Sequence, residues 1–364
     1  MKIEVYSPTI RRKEMDAVLT AMVEDKIGPG ERSRLLIQTA KEYLRFDYAL
    51  ALRSPAIALY LALKALDLED GQGVLISALS PCYYTRVIED LRLMPLYCDV
   101  SLSVPCISRE TVEKALAEKD EGVKARCIVL HHTLGFTPDT ASIAELGLPV
   151  IEDISQSYGI FLAGVGENKK GTEQKEGNEG LTAAKDRVQG IFTILGLEER
   201  DMLTSGGGAL LFAMNRRDGS VLRNYADIPG EYRLPDINAA MAAVQFKETA
   251  RNMERRNEIA RVYVQSSRHT QHKRFIPLEE GEYNNYAFPL VLETGLKDVV
   301  GYARKKEIVV ESAFESTPAG AGICDSRRCP AAYSFSLRTV LFPLYPRLRS
   351  EEVERVSKLI MTLP

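Results

Sequence analysis

The feature that most constrains the fold is an alternation of short apolar runs with segments of helical periodicity. The runs lie at 48–52, 73–77, 96–100, 127–132 and 149–153. A strand that is apolar along its whole length belongs to a sheet covered on both faces, and the helical segments between the runs supply the covering layers. The alternation therefore predicts an α/β fold built on buried parallel strands in βαβ units. Further runs at 191–195 and 208–212 predict two more strands.

A long helical pattern over 237–266 divides the chain. Its predicted buried face includes Ile237, Ala240, Met241, Val244, Met253 and Val262. After it come strands at 286–292, 308–310 and 339–344, a helix after Gly295, and a last helix that begins at Ser350. We therefore expect a large domain over 1–236 and, over 237–364, a linking helix with a smaller C-terminal domain.

Charge and composition exclude several classes of protein. The chain has 364 residues, 45% of them hydrophobic and 27% charged, which is typical of a globular protein. Lys and Arg number 47 against 50 Asp and Glu, so nothing points to nucleic acid or to an anionic membrane surface. No apolar run approaches the ~20 residues that cross a bilayer. Since the N-terminus turns charged by Arg11 and Arg12, we expect no signal peptide and a cytoplasmic location.

The six cysteines are scattered, at Cys82, Cys98, Cys106, Cys127, Cys324 and Cys329. We interpret them as reduced thiols that pack as small apolar side chains. Four residues separate Cys324 from Cys329, but no second pair or nearby histidine completes a zinc site. The sequence therefore predicts no metal.

Residues 165–187 differ in composition from the rest of the chain. They are rich in glycine and charge and contain almost nothing to bury. Such a segment cannot offset the entropy of ordering its backbone by apolar burial. We predict a mobile surface insertion, in preference to an active-site lid.

Six segments carry a more specific signal: Gly28-Pro29-Gly30, ALRSPAIALYLAL at 51–63, VIEDISQSYG at 150–159, SGGGALL at 205–211, EYRLPDINAAMAAVQ at 231–245 and LFPLY at 341–345. In this order they resemble the DegT/DnrJ/StrS family of aminotransferases, which build amino sugars on nucleotide-sugar carriers. The resemblance implies the fold-type-I, aspartate aminotransferase-like architecture of pyridoxal phosphate (PLP) enzymes. That architecture has a mainly parallel large domain and a smaller α+β C-terminal domain. It also implies a homodimer, since the family's cofactor cleft lies at a two-fold interface.

The family holds PLP as a Schiff base on a lysine that follows a strand and precedes a Gly-Gly pair. Residues 192–205 contain no lysine. Counting back from Gly207-Gly208 places Arg200 at the lysine position, and counting forward from Phe192 places Glu198 there. A guanidinium has no free amine lone pair, and a carboxylate forms no imine. Some family members use histidine here to run a dehydration, but the segment has no histidine either.

The phosphate-binding positions also depart from the family pattern. In the turn Ser54-Pro55-Ala56, Pro55 lacks a backbone donor and Ala56 lacks a hydroxyl. Glu231 aligns with an asparagine that reaches the phosphate across the dimer interface, and its charge repels phosphate. Thr193 aligns with a phosphate-binding serine and keeps a hydroxyl.

Other positions of the family's cofactor cleft are retained. The resemblance assigns Asp153 to the pyridinium nitrogen and Gln156 to the region of the ring hydroxyl. Tyr84 becomes the stacking aromatic if the alignment shifts by one residue, and Ser205 completes the predicted cleft. Asp153 and Gln156 also have structural interpretations, because a strand-end aspartate caps turns and a glutamine satisfies buried backbone groups.

Three hypotheses follow. In the first, the chain keeps the fold but neither binds PLP nor transaminates; it binds a nucleotide sugar or another small ligand, or partners an active paralogue in a heterodimer, in amino-sugar or polysaccharide metabolism. In the second, it is an active PLP-dependent aminotransferase on a nucleotide-linked keto sugar, with a lysine supplied by the insertion: Lys169, Lys170, Lys175 or Lys185. In the third, a different enzyme occupies the same cleft, although the sequence shows no catalytic triad or metal cluster.

Overall fold

A computed structural model describes residues 2–118, 122–162, 188–225, 227–277 and 283–364. The helices are α1 Arg12–Val23, α2 Glu31–Leu44, α3 Pro55–Lys64, α4 Tyr83–Asp90, α5 Arg109–Ala117, α6 Thr140–Ala144, α7 Arg216–Arg223, α8 Asp236–Ser267, α9 Leu296–Lys305, α10 Pro330–Arg338 and α11 Ser350–Met361. The strands are β1 Tyr48–Leu52, β2 Gly73–Ser77, β3 Met94–Cys98, β4 Ala125–His131, β5 Val150–Asp153, β6 Phe192–Gly196, β7 Ala209–Ala213, β8 Phe288–Val291, β9 Glu311–Ser312 and β10 Thr339–Phe342. The predicted insertion, 165–187, lies outside the described residues.

The larger sheet has seven strands in the order β1-β7-β6-β5-β4-β2-β3. β3, β2, β4 and β5 pair in parallel in this order, as the apolar runs predict, and β5 also pairs in parallel with β6. The expectation that 48–52 is also parallel is wrong, because β1 pairs with β7 and runs antiparallel to it. β7 is itself antiparallel to β6, since the connection between them contains no crossover helix to return the chain.

The smaller sheet has three antiparallel strands in the order β8-β10-β9. The strand predicted at 308–310 is wrong: β9 begins at Glu311, and Ile308 forms only an isolated bridge with Ile3. Ile308 and Val310 are apolar because they are buried in the core beside this sheet. In the chain, all strands of the larger sheet precede residue 236 and all strands of the smaller sheet follow it. The domain division at that residue stays a prediction.

Helix α8 connects the two sheets and packs on different partners along its length. Phe246 belongs to the core around Leu36 of α2, whereas Tyr263 belongs to the core around Val356 of α11. The buried face therefore rotates along the helix, and Val262, which the sequence places on it, is 40% exposed. Among the described helices, none is both long and apolar enough to cross a membrane.

Candidate active site

The candidate site lies where three parallel strands end side by side. Asp153 is the last residue of β5 and pairs in register with His131, the last residue of β4. On the other side it pairs with Ile194 of β6, which ends two residues later at Gly196. Ligands of open α/β sheets bind beyond the carboxyl ends of the strands, so the fold itself points to this edge.

The Asp153 carboxylate is buried, 2% exposed, and the protein supplies donors to both of its oxygens. The Tyr84 hydroxyl donates to Oδ2 at 2.5 Å, and the Tyr83 hydroxyl lies 3.4 Å from the same atom. The Ser155 backbone N–H donates to Oδ1 at 3.0 Å, and the Ser155 hydroxyl also donates to Oδ1. A carboxylate offers about four lone-pair positions, so these four contacts fill it.

Tyr84 lies at the start of α4 and is fully buried. Its ring packs edge-on against Tyr83 at 4.9 Å and against His131 at 6.0 Å between centroids. Burial, followed by the nearby Asp153 charge, raises the pKa of both tyrosines well above the usual value. Both hydroxyls therefore stay protonated and act as donors to Asp153. The predicted stacking role of Tyr84 stays a prediction.

Asp201 is a site residue that the sequence analysis missed. It lies in the segment searched for a lysine, and its Oδ2 accepts from the Glu198 N–H at 2.8 Å. A Cβ at Gly196 would lie 2.2 Å from this Oδ2, so the glycine allows the close approach. Burial, and then the Asp153 charge, raises the pKa of Asp201 to about 7. The segment thus brings a second carboxyl group, one that can hold a proton, toward Asp153. Considering every ionisable residue of the segment, and not only lysine, would have identified Asp201 from the sequence.

The two candidates for the lysine position are held by other groups. Glu198 is half-buried, its Oε1 accepts from the Gly208 N–H at 3.4 Å, and burial raises the pKa of its carboxyl. Arg200 is exposed; it pairs with Glu311, and its guanidinium lies 5.7 Å from the centre of the Tyr6 ring. These contacts direct both side chains to partners other than Asp153.

The predicted phosphate positions fall in three different environments. Ser54 caps α3, its Oγ accepting from the Ile57 N–H at 3.3 Å, and Pro55 is the first helical residue. Glu231 is exposed in a short 3₁₀ turn over Gly230–Tyr232. Thr193 is buried in β6, and its hydroxyl has no hydrogen-bond partner within the described part of the chain. Of this set, Thr193 retains an unused hydroxyl.

Gln156 and Ser205 both stabilise turns. Gln156 Oε1 accepts from the Leu134 N–H at 2.6 Å, which holds Leu134 in a left-handed conformation with φ of 55°. The Ser205 hydroxyl donates to the Gly207 carbonyl at 2.8 Å. These contacts favour the structural interpretation of Gln156 and give Ser205 the same kind of role.

A second group of polar side chains lines a cleft between the two sheets, and of its members the sequence analysis named only Arg200. Tyr6, Arg200, Arg256, Tyr286 and Glu311 are among its lining residues. Arg256 is buried in α8 and donates through Nη1 to the carbonyls of Tyr286 at 2.7 Å and Leu344 at 2.9 Å. Burial lowers the pKa of its guanidinium and raises the pKa of the Tyr6 and Tyr286 hydroxyls. No local sequence signal predicts this cleft because its members are far apart in the chain.

The comparisons with known proteins decide the family. The profile of the DegT/DnrJ/EryC1/StrS aminotransferase family matches residues 8–181 and 212–361. The chain belongs to this family. EpsN of Bacillus subtilis (strain 168) is 24% identical over 314 residues, which cover 81% of this chain and 76% of EpsN. The L-glutamine:2-deoxy-scyllo-inosose aminotransferase of Streptomyces lividus is 27% identical over 228 residues, covering 59% of this chain and 48% of that enzyme.

Solved structures confirm the predicted fold class. The aminotransferase TlmJ from Streptoalloteichus hindustanus superposes with a TM-score of 0.81 at 18% identity, covering 99% of this chain and 98% of TlmJ. The fold is therefore the fold-type-I architecture of the PLP-dependent DegT family, as the sequence predicts.

The described residues do not fit PLP. Residues 192–205, where the resemblance places the Schiff-base lysine, contain none, and four donors already contact the Asp153 carboxylate that the resemblance assigns to the pyridinium N–H. At the start of α3, Ser54 already caps the helix and Pro55 has no N–H to offer a phosphate. The candidate lysines Lys169, Lys170, Lys175 and Lys185 lie outside the described residues.

Proposed function

We propose that this DegT-family protein does not transaminate through PLP but binds a small, hydroxyl-rich ligand of the nucleotide-sugar class in its cleft. It acts in the cytoplasm, in amino-sugar or polysaccharide metabolism, alone or beside an active paralogue. The observation that carries the proposal is the Asp153 carboxylate, whose acceptors the protein's own Tyr84, Tyr83 and Ser155 fill. A cofactor that relies on this carboxylate would have to displace buried hydrogen bonds.

The second cleft supports the choice of ligand. The exposed Arg200 guanidinium pairs with Glu311 through Nη1 and Nη2, and its remaining N–H groups can donate to a phosphate. The Tyr6 and Tyr286 hydroxyls line the same cleft and are protonated, so they can donate to or accept from sugar hydroxyls. Small-molecule sites are usually lined by apolar side chains together with a few polar groups.

A PLP titration tests the loss of cofactor chemistry. The purified chain and TlmJ, as positive control, are mixed with PLP, scanned at the edge of the visible range and treated with borohydride. We expect an aldimine band that borohydride removes for TlmJ and none for this chain. Such a band in this chain would overturn the proposal and favour the active aminotransferase; Lys→Ala variants at 169, 170, 175 and 185 would then locate the amine.

A thermal-shift series with nucleotide sugars tests the ligand class. A ligand that binds only the folded state raises the melting temperature with concentration, as RT ln(1 + [L]/Kd). We expect such a rise, and expect Arg200→Gln to reduce it. Arg216→Gln, an exposed arginine on α7, is the matched control. If no nucleotide sugar shifts the melting temperature, ligand binding is refuted and the partner-subunit role is tested by co-purification of a lysine-bearing paralogue.

We propose that the chain forms a homodimer through α1. Along this helix Met15, Leu19 and Met22 are 51%, 55% and 51% exposed, and Ile27 and Leu35 are also exposed beyond it. Contiguous exposed apolar side chains mark interaction surfaces. Light scattering should give a dimer for the unmodified chain and a monomer for Leu19→Glu, while Leu337→Glu, an exposed leucine on α10, stays dimeric. A monomeric unmodified chain would refute this proposal.

A further inference from the structure

Arg256 carries a buried positive charge that has no negative partner in the described part of the chain. Its side chain is 5% exposed, and its Nη1 donates to the main-chain carbonyls of Asn285, Tyr286 and Leu344. Apart from burial itself, the groups that act on its pKa are tyrosine hydroxyls, and none is a carboxylate. Buried charges in proteins are usually paired, because an isolated charge loses its hydration. Arg256 therefore brings an unbalanced cation to the cleft that it lines.

The guanidinium of Arg256 also keeps donors for a ligand. Within the described ranges its hydrogen bonds all come from Nη1, so Nε and Nη2 have no protein acceptor there. Neither atom is among the fully enclosed polar atoms that lack a partner, so both reach the open space of the cleft. The N–H of Nε and one N–H of Nη2 point in parallel along one edge of the planar group. That edge matches the two oxygens of a carboxylate.

The charges that line the cleft sum to a single positive charge. Arg200 pairs with Glu311 through both of its Nη atoms, so these two charges cancel. Burial raises the pKa of the Tyr6 and Tyr286 hydroxyls, which are therefore neutral. Among the described lining residues the charge that remains is that of Arg256. A singly charged carboxylate balances it, whereas a phosphate dianion at the same place would add excess negative charge beside Glu311.

The fold holds the Arg256 guanidinium in place without a ligand. Tyr286 lies two residues before β8 and Leu344 two residues after β10, at the same end of this antiparallel pair, and α8 brings Arg256 between their carbonyls. Asn285 adopts a left-handed conformation with φ of 55°, and its Nδ2 donates to Asn257 Oδ1 at 2.8 Å. A donor pair that is already fixed loses little conformational entropy when it binds.

We propose that Arg256 binds a carboxylate of the ligand, which makes the ligand a nucleotide-linked sugar acid of the uronic acid class. The inference rests on the proposed function, because it names the sugar for the same cleft. Nε and Nη2 of Arg256 donate to the two carboxylate oxygens. Arg200, whose guanidinium lies 5.7 Å from the centre of the Tyr6 ring, donates to the phosphate. The Tyr6 and Tyr286 hydroxyls, in the same cleft, contact the sugar hydroxyls.

A matched pair of sugar phosphates tests the inference on the unmodified full chain. Glucuronic acid 1-phosphate and glucose 1-phosphate differ only in a carboxylate in place of a hydroxymethyl group, and neither carries a base. Isothermal titration calorimetry at pH 7 should give a dissociation constant for the acid that is lower by about tenfold or more. Arg256→Gln should remove this preference. Arg256→Lys, which keeps the charge without the paired donors, should retain only part of it.

The control variant is Arg255→Gln. Arg255 is the neighbouring residue on α8 and also donates to a main-chain carbonyl, that of Leu348 at 3.0 Å, but it is not among the residues that line the cleft. We expect this variant to keep the full preference for the acid. Circular dichroism checks that each variant is folded, and Arg256→Lys serves for the comparison if Arg256→Gln does not fold.

Three outcomes would overturn the inference. Equal affinity of the unmodified chain for the two sugar phosphates would mean that Arg256 serves only the three carbonyls. Binding of neither sugar phosphate would mean that the cleft holds no carboxylate site. A preference for the acid that persists in folded Arg256→Gln would assign the carboxylate to another residue. In each case the proposed function is decided separately, by whether nucleotide sugars raise the melting temperature.

Discussion

At the scale of single residues, the hydroxyl of Tyr84 is the group whose removal tells most about Asp153. Tyr84→Phe leaves one oxygen of a buried carboxylate without its shortest donor, which costs about 1–3 kcal/mol of unfolding free energy. Tyr83→Phe removes a donor 3.4 Å from the same oxygen, so the loss should be smaller. Urea unfolding of both variants measures the difference. Equal losses would mean that the 2.5 Å hydrogen bond from Tyr84 stabilises the fold no more than the longer contact from Tyr83.

Asp201 should give the unfolding free energy a distinctive pH dependence. Its pKa is about 7 in the folded chain and about 3.9 in the unfolded chain, so between these values only the folded state holds the proton. The contribution of Asp201 to the unfolding free energy is therefore fully present below about pH 4 and is lost as the pH rises to about 7. Relative to Asp201→Asn, the unmodified protein should lose stability over this range. Urea midpoints from pH 4 to 8 measure it.

The control for this prediction is Asp90→Asn, an exposed aspartate at the end of α4. Its urea midpoints should follow those of the unmodified protein across the range. If the difference between Asp201→Asn and the unmodified protein is constant with pH, Asp201 is ionised throughout and the proposed proton-holding carboxyl is absent.

Residue-scale prediction from the sequence reached Asp153 but not its partners. Asp153 lies at the end of an apolar run within a motif, so local sequence was sufficient to find it. Whether its lone pairs are free depends on Tyr84, which is far from it in the chain and reaches it only in the folded sheet. Asp201 was missed because residues 192–205 were examined only for the lysine or histidine that PLP chemistry uses, and not for ionisable residues that become buried.

At the scale of elements, the start of α8 is fixed by one carboxylate. Asp236, the first residue of the helix, accepts from the N–H groups of Gly30 at 2.9 Å, Arg32 at 3.0 Å and Ser33 at 2.8 Å. Asp236→Ala leaves these donors at the start of α2 without an acceptor. We expect a loss of about 3 kcal/mol in unfolding free energy, measured in urea at pH 7.

The pH dependence of this loss follows from the pKa of Asp236. Burial raises this pKa, but the donors from Ser33, Arg32 and Gly30 outweigh it and lower the pKa overall. The stabilisation is therefore present above the unfolded-state pKa and lost as the pH falls, so the two proteins should converge below about pH 4. Asp139→Ala removes an exposed cap that accepts one hydrogen bond among the described residues, from the Ser142 N–H, and should cost about 1 kcal/mol. Equal losses at the two sites would contradict the prediction.

Helices and strands were predicted correctly where the whole element is buried, or exposed, in the same way along its length. The strands that are buried along most or all of their length were found within two residues of their observed ends, because burial on both faces leaves an almost continuous apolar run. It failed at 308–310, where apolar residues are buried without forming a strand, and at Val262, where α8 changes partners. Pairing direction depends on what connects two strands, so β1 was assigned incorrectly.

At the scale of the whole molecule, the positions that bear on the proposed loss of PLP binding occur in separate parts of the chain. Pro55 lies at the start of α3, Tyr84 reaches Asp153 from α4, and Glu198 and Arg200 follow β6. In the folded chain they have different partners: Ser54, beside Pro55, caps α3, Tyr84 binds Asp153, and Arg200 pairs with Glu311. Under the proposed loss of PLP chemistry we expect changes at several such positions, whereas a single substitution would alter one of them.

This distribution makes a prediction about restoring the lysine. Arg200→Lys and Glu198→Lys each supply an amine at one of the two aligned positions, yet Asp153 stays occupied and Pro55 still lacks an N–H. We expect neither variant to show a borohydride-sensitive band with PLP, with circular dichroism confirming that each is folded. Adding Tyr84→Phe to either variant frees an acceptor on Asp153 and should give the larger gain in PLP affinity. A band in a single lysine variant would show that the rest of the cleft still accepts the cofactor, and that the lysine alone was lost.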